Sequence, residues 1–168
     1  MPAADDVLLE LSDVSFAYRA LPVISAINWR WQRGEQWACL GPNGAGKTTL
    51  AGLLCGQLRH ASGEIRIADT VRAQGMAYVC FEQQKLLCDR DRQLDDSEFR
   101  ADAHDPGTRV RQVILGNRAP DDAFAGWTRR LAMEHILDRG IRFISTGEMR
   151  KTLLLRALLQ QPAVLVLD

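Results

Sequence analysis

The sequence predicts an α/β fold in which a mixed sheet with a buried parallel core is accompanied by an antiparallel β layer and an inserted helical subdomain. Alternating apolar segments in the N-terminal part predict the β layer. A glycine-rich stretch between an apolar run and a helix-like segment predicts a strand, a loop and a helix in that order. The 168 residues are enough for about one domain.

Three segments predict the β layer. Residues 7–11 and 24–31 are typical of strands, and Trp29 and Trp31 lie on one face of the second. Residues 64–68 alternate in the same way after a Ser-Gly turn. We expect the tryptophans of this region to pack the small sheet rather than to bind a ligand.

The core strands are predicted from short apolar runs. Residues 36–40 lead into the glycine-rich stretch, and residues 48–58 follow it with leucines at helical spacing. Residues 76–81 and 163–167 are further runs that predict buried strands.

The helical subdomain is predicted over about residues 108–150. Thr108 can cap a short helix to residue 115, residues 121–139 predict a longer helix, and a third begins at Ser145. Residues 89–109 are rich in charge and close with Pro-Gly, which predicts a solvated, flexible insertion.

Composition argues against several classes of protein. Lysine plus arginine and aspartate plus glutamate each number 21, so the net charge of +0 predicts no nucleic-acid partner. No apolar run approaches the roughly 20 residues of a membrane span, and the first residues do not resemble a secretory signal, so we expect a cytoplasmic protein. Four cysteines without C-x-x-C spacing are expected to be buried and reduced: Cys39, Cys55, Cys80 and Cys88.

A phosphate-binding loop is predicted at residues 41–49, which match G-x-x-x-x-G-K-S/T. Glycines let successive backbone N–H groups turn towards phosphates, and the following helix directs its positive end there. Lys47 would reach the β- and γ-phosphates, and Thr48 would hold Mg²⁺. The residues expected to bind the nucleotide here are Gly41, Pro42, Asn43, Gly44, Ala45, Gly46, Lys47, Thr48 and Thr49.

A second motif is Ser-Thr-Gly-Glu at residues 145–148. Ser145 and Glu148 have the capping-box spacing, which explains the pair without any ligand. A capped helix N-terminus with a glycine is also an anion site, and an apolar strand ending in Asp168 follows.

In this order, the three stretches resemble the Walker A, signature and Walker B elements of ABC-type ATPases. The resemblance covers nearly the whole chain and implies a P-loop NTPase core, with residues 1–168 forming the N-terminal part of one ABC ATP-binding domain. The usual signature has Gly-Gly-Gln where this chain has Thr-Gly-Glu. That variant, together with residues 81–86, is similar to ModF-type molybdate transport ATP-binding proteins.

The resemblance implies roles for individual residues towards Mg-ATP. Tyr18 would stack on adenine, although a core aromatic at a strand end is the alternative. Gln83 would contact Mg²⁺ and the attacking water, acting in catalysis with Lys47, and Asp168 would hold Mg²⁺ through water. In the family a glutamate after this aspartate activates the water, so we expect the residues up to 168 to bind Mg-ATP and hydrolyse it weakly.

The resemblance also implies partners. Two ABC domains pair head to tail, so Ser145, Gly147 and Glu148 would contact the nucleotide bound by a second ABC domain, in a homodimer or in tandem. The charge of Glu148 should weaken this closure unless a cation such as Arg150 or Lys151 offsets it. A separate membrane permease would place the protein at the inner face of the cell membrane.

Three functions remain open on the sequence. The first is the ATP-hydrolysing subunit of a transporter, with molybdate as the cargo suggested by the subgroup. The second is a soluble ABC ATPase that acts on ribosomes or DNA. The third is a regulatory nucleotide-binding module with little turnover, which Glu148 would favour.

Overall fold

A computed structural model describes residues 6–59, 62–93 and 107–168. The chain divides into two compact units, the first formed by Met1–Tyr78 with Pro162–Asp168 and the second by Val79–Gln161. The predicted helical subdomain, residues 108–150, falls within the second unit. Among the described residues, no helix combines the length and the apolar character needed to cross a membrane.

The first unit contains a three-stranded antiparallel sheet. Its strands are β1 (Val7–Tyr18), β2 (Leu21–Gln32) and β3 (Ser62–Ile67), in the order β2-β1-β3. Arg19 and Ala20 join β1 to β2 with φ angles of 46° and 70°, the left-handed pair that suits the twist of a two-residue hairpin. The predicted β layer is confirmed, with β1 and β2 longer than expected.

Apolar side chains of this sheet pack against two helices and a second sheet. The helices are α1 (Lys47–Leu54) and α2 (Asp69–Gln74), and the second sheet pairs β4 (Met76–Val79) with β5 (Val164–Leu167). One buried cluster comprises Leu11, Val14, Ile24, Leu53 and Leu54, and another comprises Leu8, Leu9, Val71 and Val164. Burial of these side chains fixes the elements on both sides of the glycine-rich loop.

Two expectations about the first unit are wrong. Residues 36–40 form no strand, and the side chains of Trp37 and Leu40 are 56% and 89% exposed. An apolar run becomes a strand only when a neighbouring backbone pairs with it, and no strand of the described residues does so here. The cysteines are also not uniformly buried, since Cys39 is exposed, although no disulfide forms within the described part of the chain.

The second unit is helical. Its helices are α3 (Phe81–Gln93), α4 (Val110–Leu115), α5 (Asp122–Arg130) and α6 (Thr146–Leu158), with short 3₁₀ turns at Glu134–Ile136 and Ile141–Phe143. They share one apolar core, in which Val110, Met133, Ile136, Met149 and Leu155 are almost completely buried.

The predicted long helix over residues 121–139 is wrong, because it ends at Arg130 and Ala132 adopts a left-handed φ of 52°. Asp121 caps α5 by accepting the N–H of Phe124 at 2.7 Å. The strand predicted over residues 76–81 ends at Val79, and α3 begins at Phe81.

The prediction that Thr108 caps the short helix is wrong, because the next residue is the cap. Arg109 is the N-cap of α4, and its N–H donates to Gln112 Oε1 at 2.7 Å. The predicted insertion, residues 89–109, is solvated only in part, because Asp91 lies in the last turn of α3 with 4% of its surface exposed. Residues 94–106 of that insertion lie outside the described residues.

Candidate functional site

The glycine-rich loop enters α1 through Gly46. This residue is the N-cap of α1 with φ 89°, and its carbonyl accepts the N–H of Leu50 at 2.8 Å. A Cβ at this position would lie 3.1 Å from Val23 Cγ1, so a side chain would be strained as well as crowded against β2. Only glycine lets the loop approach the strand this closely.

Lys47 lies at the centre of this loop. Its Nζ donates to the carbonyl oxygens of Gly41 and Pro42, at 2.9 Å each. The loop therefore curls around the ammonium group, while Gly41, Pro42, Asn43, Gly44 and Ala45 remain exposed. An exposed cradle with a central cation is suited to a polyanion.

Thr48 and Asp168 meet beside the loop, as the resemblance implies for a Mg²⁺ site. Thr48 Oγ1 donates to Asp168 Oδ1 at 3.2 Å. A hydroxyl and a carboxylate are the hard oxygen ligands that Mg²⁺ prefers, so this donor set fits the ion. By contrast, Thr49 is buried in the first turn of α1.

Tyr78 is a member of this group that sequence reasoning missed. Its hydroxyl donates to Asp168 Oδ2 at 3.1 Å, whereas Thr48 donates to the other oxygen of the same carboxylate. Tyr78 lies in β4, which pairs with β5, the strand that precedes Asp168. Its position in the apolar run of residues 76–81 was the available signal, because neighbouring strands end close together.

Tyr18 lies at the end of β1 in the same unit. Its ring meets Phe16 edge-on, with 4.7 Å between centroids and an interplanar angle of 85°. Tyr18 is 49% exposed, which argues against the core aromatic that the sequence left open. A half-exposed ring can accept a flat base on its face.

A cavity of about 570 Å³ adjoins Lys47 and Asp168. Trp29 stacks on Trp31 with 5.5 Å between ring centroids and meets Trp37 edge-on at 5.4 Å, and all three line the cavity. Trp29 and Trp31 also pack against the two buried clusters of the first unit, as expected from the sequence.

Gln83 lies in the first turn of α3, in the second unit, and is partly buried. Its predicted grouping with Lys47, Thr48 and Asp168 stays a prediction.

The Ser-Thr-Gly-Glu motif forms the N-terminus of α6. Ser145 is the N-cap, and its N–H and Oγ–H both donate to Glu148 Oε2, at 2.7 and 2.8 Å. The predicted capping box is confirmed by the return bond from the Glu148 N–H to Ser145 Oγ at 3.3 Å. Gly147 is exposed, and among the described residues no atom beyond its chain neighbours and its own helix backbone lies within 4 Å of the position its Cβ would take.

These bonds hold the Glu148 carboxylate in its charged form. The pKa of Glu148 lies below its ordinary value because the Ser145 N–H and then the Ser145 hydroxyl donate to it, while Arg139 and His135 add smaller contributions. His135 Nε2 is 3.6 Å from Glu148 Oε1. Lys151, one of the two candidates that the sequence offers to offset this charge, donates to the Leu131 carbonyl at 3.0 Å.

Comparison with known proteins agrees with this geometry. The family model described as ABC transporter matches residues 24–168. The zinc import ATP-binding protein ZnuC of Halorhodospira halophila is 32% identical over 166 residues, covering 99% of this chain and 56% of that protein. The ABC transporter ATP-binding protein ModF of Escherichia coli is 31% identical over 136 residues, covering 80% of this chain and 27% of that protein. These near-equal identities do not favour molybdate over zinc.

The solved structure of cbiO1 from Clostridium perfringens, part of the ABC transporter complex cbiONQ, superposes with a TM-score of 0.67 at 24% identity. That match covers 97% of this chain and 65% of the other, and it shows the α/β fold of the ATP-binding P-loop domain. The chain spans about half the length of the zinc import relative, at 56%. The family match over residues 24–168 and the shared fold together show that this chain belongs to the ABC transporter family, in its ATP-binding domain.

Proposed function

We propose that this chain is part of the ATP-binding and ATP-hydrolysing subunit of a membrane transporter. The observation that carries the proposal is the Lys47 ammonium enclosed by the glycine-rich loop, beside the Thr48–Asp168 pair. A transporter is preferred to a soluble ABC ATPase because the relatives reported above carry transport names.

Within the first unit, each group has a task towards Mg-ATP. Lys47 would exchange the Gly41 and Pro42 carbonyl oxygens for phosphate oxygens, which carry more negative charge. Thr48 and Asp168 would hold Mg²⁺, which when bound neutralises charge on the phosphates. Tyr18 would stack on the adenine ring.

The second unit would act in catalysis and in pairing. Gln83 would orient the attacking water. Ser145, Gly147 and Glu148, at the N-terminus of α6, would face the γ-phosphate held by a second ABC domain. Closure of the two domains would drive a membrane permease, with this subunit on the cytoplasmic side.

The cargo is inferred to be a transition metal ion or its oxyanion. Zinc and molybdate are the candidates, zinc from the name of the import relative and molybdate from the variant signature. Uptake of radioactive zinc and of molybdate by cells with and without the gene separates the two, because only the true cargo loses ATP-dependent uptake on deletion.

Calorimetry of Mg-ATP binding tests the nucleotide site. Lys47→Ala should weaken binding by at least about tenfold, because the phosphates lose their central cation. Lys85→Ala is the matched control, since it removes an exposed lysine of α3 and should bind as the unaltered protein does. Equal affinity in the Lys47→Ala and Lys85→Ala proteins would overturn the proposed function.

A further inference from the structure

Two hydrogen-bond donors at the start of α6, both on Ser145, already bond to an anion of the same chain. Glu148 Oε2 accepts both the N–H and the Oγ–H of Ser145, at 2.7 and 2.8 Å. Ser145 is exposed and the side chain of Glu148 is 25% exposed, so a ligand can reach the contact between them. A phosphate that approaches Ser145 therefore meets donors that a carboxylate already occupies.

The charge of Glu148 is not needed to cap the helix. The capping box works with glutamine as well as glutamate, because an amide oxygen can accept the same N–H. A neutral glutamine would also leave its NH₂ group available as a donor to an anion. The carboxylate therefore brings a negative charge that the capping box does not require.

Two basic residues of the segment that precedes α6 favour the charged form of this carboxylate. His135 Nε2 lies 3.6 Å from Glu148 Oε1, and Arg139 also stabilises the charged form of Glu148. His135 is mostly exposed, with 63% of its side chain accessible. Both residues can keep the carboxylate stable when Ser145 Oγ turns towards another acceptor.

We propose that Glu148 competes with ATP for the Ser145 hydroxyl, so that its carboxylate must be displaced from Ser145 Oγ before the second domain's γ-phosphate can bind. This inference rests on the proposed function, which gives the start of α6 its role in ATP-driven closure. Closure of the two domains must therefore supply the free energy that displaces Glu148 from Ser145. The Ser145 hydroxyl exchanges the Glu148 carboxylate for a phosphate oxygen as its hydrogen-bond acceptor. No covalent bond is broken.

Glu148→Gln separates the charge from the cap. The experiment measures the dissociation constant of the full-length protein for a non-hydrolysable Mg-ATP analogue and for Mg-ADP, which lacks the γ-phosphate. The variant should bind the analogue about tenfold more tightly, because a like charge beside the phosphate is removed. Its affinity for Mg-ADP should not change. The gain should shrink in high salt, because screening weakens the repulsion.

Glu134→Gln is the matched control. It neutralises an exposed acid of the 3₁₀ turn Glu134–Ile136 in the same unit, and both of its dissociation constants should equal those of the unaltered protein. Thermal unfolding of each variant confirms that the cap at Ser145 is retained.

The outcomes distinguish the two proposals. If Glu148→Gln binds the analogue no more tightly, or tightens ADP binding equally, Glu148 is only a cap and this inference is overturned while the proposed function stands. If Lys47→Ala binds both nucleotides as well as the unaltered protein does, the proposed function fails, and the inference about Glu148 fails with it.

Discussion

Asp91 and Arg142 form an ion pair inside the second unit, with 2.9 Å between Asp91 Oδ2 and Arg142 Nε. Their side chains are 3% and 13% exposed. Asp91 Oδ1 also accepts the N–H of Thr108 at 2.7 Å. One carboxylate near the end of α3 therefore fixes both the chain that enters α4 and the 3₁₀ turn Ile141–Phe143, which leads to Ser145.

Removing one partner of this pair should destabilise the second unit strongly. Arg142→Met leaves the buried Asp91 carboxylate without its guanidinium, and losing one member of a buried pair costs about 3–5 kcal/mol. Urea unfolding measures the change in the free energy of unfolding. Arg92→Ala is the control, because the Arg92–Asp89 pair is 71% and 45% exposed and should change stability by less than about 1 kcal/mol. A similar small change in both variants would contradict the structural role of Asp91.

Gly107 should be intolerant of alanine for the same reason. It has φ 63°, and a Cβ would lie 2.5 Å from Asp91 Oδ2 and 2.9 Å from Arg142 Nη2. Gly107→Ala should therefore lower the thermal unfolding temperature. Gly126 lies in α5, and in the part of the chain that the structure describes nothing outside its chain neighbours and helix backbone comes within 4 Å of its Cβ position. Gly126→Ala should therefore raise stability by up to about 1 kcal/mol. Opposite signs for the two glycines are the expected result.

The sequence predicted those features whose cause is local. The cap at Ser145 follows from residues three apart, and the loop at Lys47 follows from glycine spacing, so both were found. The burial of Asp91 depends on Arg142, which is distant in sequence, so a charged stretch was mistaken for a wholly solvated one. Residues 36–40 would become a strand only by pairing with a strand that is distant in sequence. Composition does not show whether such a partner is available.

Stability should fall in acid through Glu148. Its folded pKa lies below the ordinary value of 4.5, mainly because the Ser145 N–H and hydroxyl donate to it. The bonds therefore stabilise the fold fully above about pH 4.5, and this contribution is lost as pH falls through the lowered folded pKa. Urea unfolding of the unaltered protein and of Glu148→Gln from pH 7 to pH 3 should show a steeper acid loss in the unaltered protein. Parallel curves would show that the Ser145 contacts do not hold the carboxylate.

Thr48 and Asp168 should govern the Mg²⁺ dependence of nucleotide binding. Thr48→Val keeps the shape of the side chain but removes the hydroxyl that donates to Asp168 at 3.2 Å. ATP affinity should fall by about tenfold in Mg²⁺ and remain unchanged in EDTA, because only the metal-bound form uses that oxygen. Thr70→Val, on an exposed threonine of α2, is the matched control and should have no effect in EDTA or in Mg²⁺. An equal loss with and without Mg²⁺ would place Thr48 outside the metal site.

Tyr18 should contribute to ATP binding through its ring and not through its hydroxyl. Stacking of an aromatic side chain on a base is worth about 1–3 kcal/mol, so Tyr18→Ala should weaken ATP binding by about tenfold or more. Tyr18→Phe keeps the ring beside Phe16 and should bind ATP as before. Pyrophosphate has no base to stack, so all three proteins should bind it equally in calorimetry. Equal loss of ATP and pyrophosphate affinity in Tyr18→Ala would instead show that the ring supports β1 and the loop structurally, since Tyr18 ends that strand.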